Sequence, residues 1–220
     1  MKVRSSRPPA RTNAEWTADT RRRLIAAARK LFAARGYAAV GTEEIGERAG
    51  LTRGALHYQF GDKRGLFVAV LEQVLRELVA DLARDTMEGN PEGTAELERG
   101  ALLLLEAYGH SEIQRLLLLD APQVLGWQEW LALQERSGFA ALLDHALDHW
   151  VEAGWVERAR VAQTRRLLFG AIVHAGAAVA ESTDRAGAVA SFREPLRRLI
   201  RGLAHGARKR RRGPQYHRAQ

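Results

Sequence analysis

The sequence predicts an all-α protein, and three observations carry that reading. Apolar residues recur at helical spacing along nearly the whole chain. No run alternates apolar and polar residues as a half-buried strand would, and no Asn-Gly or Asp-Gly hairpin dipeptide occurs. The prolines are few (Pro8, Pro9, Pro91, Pro122, Pro195 and Pro214) and mark edges.

The elements follow in order. Residues 1–16, rich in Arg, Pro, Ser and Thr, read as a disordered basic arm. A first helix spans about Ala18–Arg35, with Leu24, Ile25, Ala28, Leu31 and Phe32 on one stripe and Gly36 as its left-handed cap. Thr42 suits the N-cap of a short helix ending at Ala49. Gly50 turns the chain, and Thr52 or Arg53 opens a second short helix to about Gln59. Asp62 caps a long helix carrying Leu66, Phe67, Val70, Leu71, Val74, Leu75 and Leu78. Gly89–Gly93 is the clearest break. Helices then fall near 94–109, 112–120, 122–153, 159–181 and 186–206, with a basic disordered tail to follow.

At 220 residues, 46% hydrophobic and 27% charged, the chain has the composition of a globular protein of one large or two small domains. It has no cysteine, which excludes disulfides, thiolate metal sites and thiol chemistry and fits a cytoplasmic location. The longest apolar run, the 14 residues Leu167–Ala180, is short for a bilayer. Met1–Arg11 has no apolar stretch behind it and is not a secretory signal. The net charge of +8 is unevenly placed: +5 over residues 1–23, +3 over 24–67, −9 over 68–196 and +9 over 197–220. That asymmetry fits a polyanion met by the N-terminal third, or two solubilising tails.

Residues 42–60 decide between these. Ile45, Ala49 and Leu56 fall on inward positions of two short helices, and Ala49 is small where the helices cross. Gly50 supplies the sharp turn and Leu51 plugs it. The second helix then presents Arg53, Gly54, His57 and Tyr58, with no acid between Leu51 and Gly61. Such a helix fits a DNA major groove with its N-terminal residues at the base edges. Lys63, at the start of the next helix, is poorly placed for the helix dipole and well placed for a phosphate.

Residues 21–75 resemble the DNA-binding domain of the tetracycline-repressor (TetR) family of transcriptional regulators. The stretches that carry the resemblance are Ala26–Gly36, Thr42–Leu51 and Arg53–Leu66. It implies a three-helix helix-turn-helix domain at 17–62, a connecting helix at 63–88, and a helical effector-binding and dimerisation domain at 89–206, with a basic tail at 207–220. By position, Thr42 and Lys63 hold phosphates from two helix starts. Thr52, Arg53, Gly54 and Ala55 approach bases, Arg53 being suited to guanine, and Tyr58 bonds a phosphate. The family usually carries Tyr where this chain has His57, which therefore fits a base, a phosphate or both. Arg4, Arg7 and Arg11 fit either a minor-groove arm or a plain tail.

One motif of this size reads few base pairs, so two copies on a two-fold axis are required. Leu167–Ala180 packed with Ala186–Leu203 is the candidate dimer interface, through Gly170, Ala171, His174, Ala178, Leu196 and Leu199. His174 reads first as a core or interface histidine. The acidic middle concentrates aromatic residues, and Tyr108, Trp127, Trp130, Phe139 and His174 are the candidate lining of an effector pocket. His145 and His149, flanked by Asp144 and Asp148, have metal-ligand spacing but make an incomplete pair on one helix, so no metal is expected. No nucleophile elbow, phosphate loop or paired-carboxylate signature appears, and neither an enzyme nor a cofactor is implied. The expectation is a homodimeric, ligand-responsive repressor. Its partners are a palindromic operator in duplex DNA, a small-molecule effector and a second copy of itself, with no membrane. A sequence-independent nucleic-acid coating protein driven by the basic tails and a metal enzyme built on His145 and His149 are the rivals.

Overall fold

A computed structural model describes the backbone of residues 12–87 and 93–211, and side chains over 12–86 and 93–204. All its regular elements are helical. The chain divides into two compact units, Met1–Val70 and Leu71–Gln220, so the boundary falls inside one long helix rather than around it.

The first unit holds α1 (Asn13–Arg35), α2 (Thr42–Ala49), α3 (Arg53–Phe60) and the first turns of α4 (Lys63–Met87). Helix α1 starts at Asn13, five residues before the sequence expectation, because Thr12 and Glu15 form a reciprocal capping box. Thr12 Oγ1 accepts from the Glu15 amide at 3.2 Å and Glu15 Oε2 accepts from the Thr12 amide at 2.8 Å. Leu24, Ala28, Phe32, Ile45, Leu56, Leu66, Phe67 and Val70 are fully buried and form the core. Phe32, Tyr37 and Phe67 close it as an aromatic cluster, with centroids 4.9–5.5 Å apart.

Three features fix the α2–α3 turn. Gly50 ends α2 in the left-handed conformation, φ 62° and ψ 39°. Arg23 of α1 donates to the terminal carbonyls of α2, 2.6 Å from Ala49 O and 3.3 Å from Gly50 O. The tightest approach is at Gly46, one turn before the expected Ala49: a Cβ there would lie 2.9 Å from the Leu51 carbonyl oxygen.

The second unit holds the rest of α4, then α5 (Ala95–Tyr108), α6 (Ser111–Ile113), a π-helical stretch (Gln114–Asp120), α7 (Ala121–Leu125), α8 (Trp127–Arg136), α9 (Phe139–Glu152), α10 (Val161–Glu181) and α11 (Arg185–Arg211). The single helix expected over 122–153 is three helices. Gly126 and Gly138, at φ 75° and 92°, break it although the apolar periodicity continues across both. Pro195 lies inside α11 rather than at an edge. It is exposed, as is Ser191 one turn before it, where a proline can be accommodated on the solvent side of the helix. The tail expected from residue 207 is helical as far as Arg211. Of the expected break at Gly89–Gly93, Gly93 is described, in a turn at φ 67°; its other residues and the arm arginines lie outside the described residues.

Tyr108 of α5 is buried against Gly176 of α10, where a Cβ would stand 2.5 Å from the ring. Glu98 of α5 meets Arg201 of α11 in a two-bond fork at 2.8 and 2.9 Å and also accepts from Thr94. Arg165 of α10 donates to Asp144 of α9 at 2.7 Å.

Candidate functional site

Helix α3 is short and needs its cap. Thr52 Oγ1 accepts from the Ala55 amide at 3.2 Å, and the buried Leu56 anchors the inner face. Thr52, Arg53, Gly54, His57 and Tyr58 are exposed on the outer side, Tyr58 at 82%, and Ala55 is half-buried. Thr42 is the first residue of α2, whose N-cap is Gly41. Lys63 is the first residue of α4. Its ammonium sits 4.2 Å from the centre of the Tyr37 ring, and burial draws its pKa below the usual lysine value. The exposed face of α3 thus carries Thr52, Arg53, Gly54, His57 and Tyr58.

That face is not clear of acids, as the run Leu51–Gly61 alone suggests. Glu43 of α2 accepts from Arg53 Nη1 at 2.9 Å. His57 has a defined role in the same cluster. Its Nδ1 lies 2.6 Å from the Gly61 carbonyl, which can only accept, so Nδ1 carries the proton. Its Nε2 is then the acceptor that faces Arg53 Nε at 3.4 Å. Arg53 is held between an acid and an imidazole. Nothing in local spacing announces Glu43 or Arg23 as part of this site, because both come from neighbouring helices.

In the second unit, two cavities divide the candidate pocket residues. The smaller, about 310 Å³, is almost wholly apolar and lies among Leu82, Ala83 and Thr86 of α4, Leu97 and Leu104 of α5, Phe139, Leu142 and Leu143 of α9 and Ile172 of α10. Thr86, Glu96 and His145 are its polar lining. The larger, about 880 Å³, is lined by Trp127, Phe139, Phe169 and His174 with Gln134 and Arg165. Tyr108 and Trp130, 2% and 1% exposed, pack in the core and line neither of these cavities. His174 is exposed, not a core histidine.

The candidate interface residues also divide. Gly170, His174, Ala178 and Leu199 are exposed, and Ala171 is half-buried. Leu196 is buried within the subunit and belongs to its core. Leu167, which opens the candidate interface segment, is 68% exposed and continues the α10 stripe by one turn.

The sequence pattern of the tetracyclin repressor-like C-terminal domain matches residues 94–203, and that of the bacterial regulatory proteins of the tetR family matches residues 24–70. The chain is a member of the TetR family. A solved TetR-family transcriptional regulator from Pectobacterium atrosepticum is similar over 88% of this chain and 97% of its own, with 32% identity and a TM-score of 0.72.

Membership makes the chain a DNA-binding transcriptional regulator and not an enzyme. Among relatives by sequence, the transcriptional repressor AcnR of Corynebacterium glutamicum is 32% identical over 90 residues, 41% of this chain and 44% of its own. The transcriptional activator FasR of Mycolicibacterium smegmatis is 39% identical over 62 residues, 28% of each chain. These matches span less than half of either relative. Among the described residues, no helix of this TetR-family chain is long and apolar enough to cross a membrane.

Proposed function

We propose that the protein is a homodimeric, cytoplasmic repressor that reads a palindromic operator with α3 and is released when a small molecule fills the smaller cavity. The observation that carries the reading is the outer face of α3: a capped, anchored helix offers Arg53, His57 and Tyr58 to a groove. Arg53 reads a guanine edge and Thr52, Gly54 and Ala55 approach bases, with His57 contacting either a base or a phosphate. Thr42, Tyr58 and Lys63 hold phosphates.

A second copy of the chain covers the stripe of Leu167, Gly170, His174 and Ala178 on α10, together with Leu199. Two subunits so joined present two α3 helices to one face of DNA about a helical turn apart. The small cavity supports a largely apolar effector, since Thr86, Glu96 and His145 are its polar lining and the other residues that line it are apolar. Its wall includes Leu82, Ala83 and Thr86 of α4, the helix that begins at Lys63. A coupling of about 1–3 kcal/mol through that helix is enough for a roughly 5–150-fold loss of operator affinity.

Selection of bound duplexes from random DNA tests this. The expected product is an inverted repeat whose half-site centres stand about one helical turn apart. Enrichment of asymmetric or featureless sequence contradicts it.

A further inference from the structure

Among the described residues, the buried carboxylate of Glu96 meets no permanent countercharge. Its side chain is 7% exposed, at the first turn of α5. Glu98, two residues on, is answered by the Arg201 guanidinium. Glu96 has no guanidinium or ammonium partner among the described residues; its ion-pair neighbours are the two histidines of α9. His149 Nδ1 lies 2.9 Å from Oε2, and His145 Nε2 lies 3.9 Å from Oε1. One ligand atom from each of the three residues falls within 4.8 Å of the others, and the imidazole centroids are 4.7 Å apart.

We propose that Glu96, His145 and His149 bind one divalent transition-metal ion, with zinc as the natural fit. The chemistry of the set is that of an open zinc centre: two imidazoles and a carboxylate, with a fourth position left for water or for a donor atom of a molecule in the cavity. Metal–ligand bonds of about 2.0–2.2 Å place tetrahedral ligand atoms about 3.4 Å apart. The carboxylate–imidazole distances, 2.9 Å from Oε2 to His149 and 3.9 Å from Oε1 to His145, lie on either side of that value, and the set as a whole falls within 4.8 Å. Both histidine side chains are about half exposed, at 57% and 47%, so they can rotate to close the set without moving the core. The ion enters from that exposed side and supplies the positive charge that the buried carboxylate lacks.

The flanking acids play no part, since Asp144 is engaged by Arg165 and Asp148 by Arg158. Two of the three ligands, Glu96 and His145, also line the small apolar cavity, so the ion stands at its edge. The third ligand is 53 residues from the nearer-bonded histidine, which is why the His145–His149 spacing alone looks incomplete.

The test uses the full-length protein stripped with a chelator and titrated with zinc against a chromophoric competitor. About one equivalent is expected, and His145→Gln and His149→Gln are each expected to weaken it by about tenfold or more. His110→Gln, at an exposed histidine outside the cluster, serves as the control and is expected to leave zinc binding unchanged. Cobalt substituted for zinc should give the intense visible bands of a tetrahedral site. These readouts need no DNA, so failure of the metal site and failure of operator recognition are separable. Glu96→Gln is added where circular dichroism shows that it folds; the two exposed histidine variants decide the matter either way. Zinc bound equally well by both histidine variants, or not retained by the wild type at micromolar concentration, overturns the proposal.

Discussion

Arg53 Nη1 stands 2.9 Å from Glu43 Oε1, so the residue best suited to read guanine is engaged by an acid from the preceding helix. Both side chains are largely exposed, at 58% and 72%. An exposed pair of this kind is worth about 0.2–1 kcal/mol, which DNA must displace. Glu43→Gln therefore tightens binding to operator and unrelated DNA alike, by up to about fivefold. Fluorescence anisotropy on both duplexes checks this; weaker binding by the variant means that Glu43 positions Arg53 for its base.

Lys63 heads α4 with its ammonium over Tyr37. Burial draws its pKa below the usual lysine value, and the Tyr37 ring face favours its cationic form. Lys63→Ala weakens all DNA about equally and reduces the salt slope by about one phosphate contact. Binding isotherms at several salt concentrations measure both quantities. A loss confined to one sequence contradicts a phosphate role.

Gly176 lies where a Cβ would meet Tyr108 Cδ2 at 2.5 Å and Cγ at 2.9 Å, deep in the second unit. Overpacking there forces the ring or a helix to shift. Gly176→Ala costs about 1–3 kcal/mol, read as a lower denaturant midpoint. Tyr108→Leu in the same background recovers part of the loss if the ring is the obstacle.

Burial alone lifts the Glu98 carboxyl, but hydrogen bonds from Arg201 and Thr94 and the charges of Arg201 and Arg197 outweigh it, leaving the pKa below the ordinary carboxylate range. A carboxyl depressed in the folded state contributes stability that is fully present above its unfolded value, about pH 4.3, and is lost as pH falls through the folded value. The wild type should lose stability on acidification below about pH 4.3, and Glu98→Gln should flatten that part of the profile. Urea midpoints across that range test it; parallel profiles for the two proteins count against the depressed carboxyl.

The sequence made the α2–α3 corner legible because its determinants are local: Gly50, Leu51 and Leu56 act within a few residues of each other. The start of α1 is equally local, in Thr12 and Glu15, but it lies ahead of the apolar stripe that begins at Leu24, so helical periodicity does not reach it. Gly126 and Gly138 were invisible because a glycine inside a helical pattern costs only about 1 kcal/mol and breaks no periodicity. Glu43–Arg53, Tyr108–Gly176 and Glu96–His149 join residues 10, 68 and 53 positions apart. Such pairs depend on how helices pack, and no spacing rule encodes them. For the same reason composition alone does not separate Trp127, at a cavity, from Trp130, in the core.

The central claim is that α3 reads bases through Arg53, and the most direct measurement compares Arg53→Ala with the wild type on the selected operator and on single-base variants of it. The account predicts a loss of about 1–3 kcal/mol on the operator and relaxed preference at one position in each half-site. Unchanged affinity together with unchanged preference at every position would contradict it.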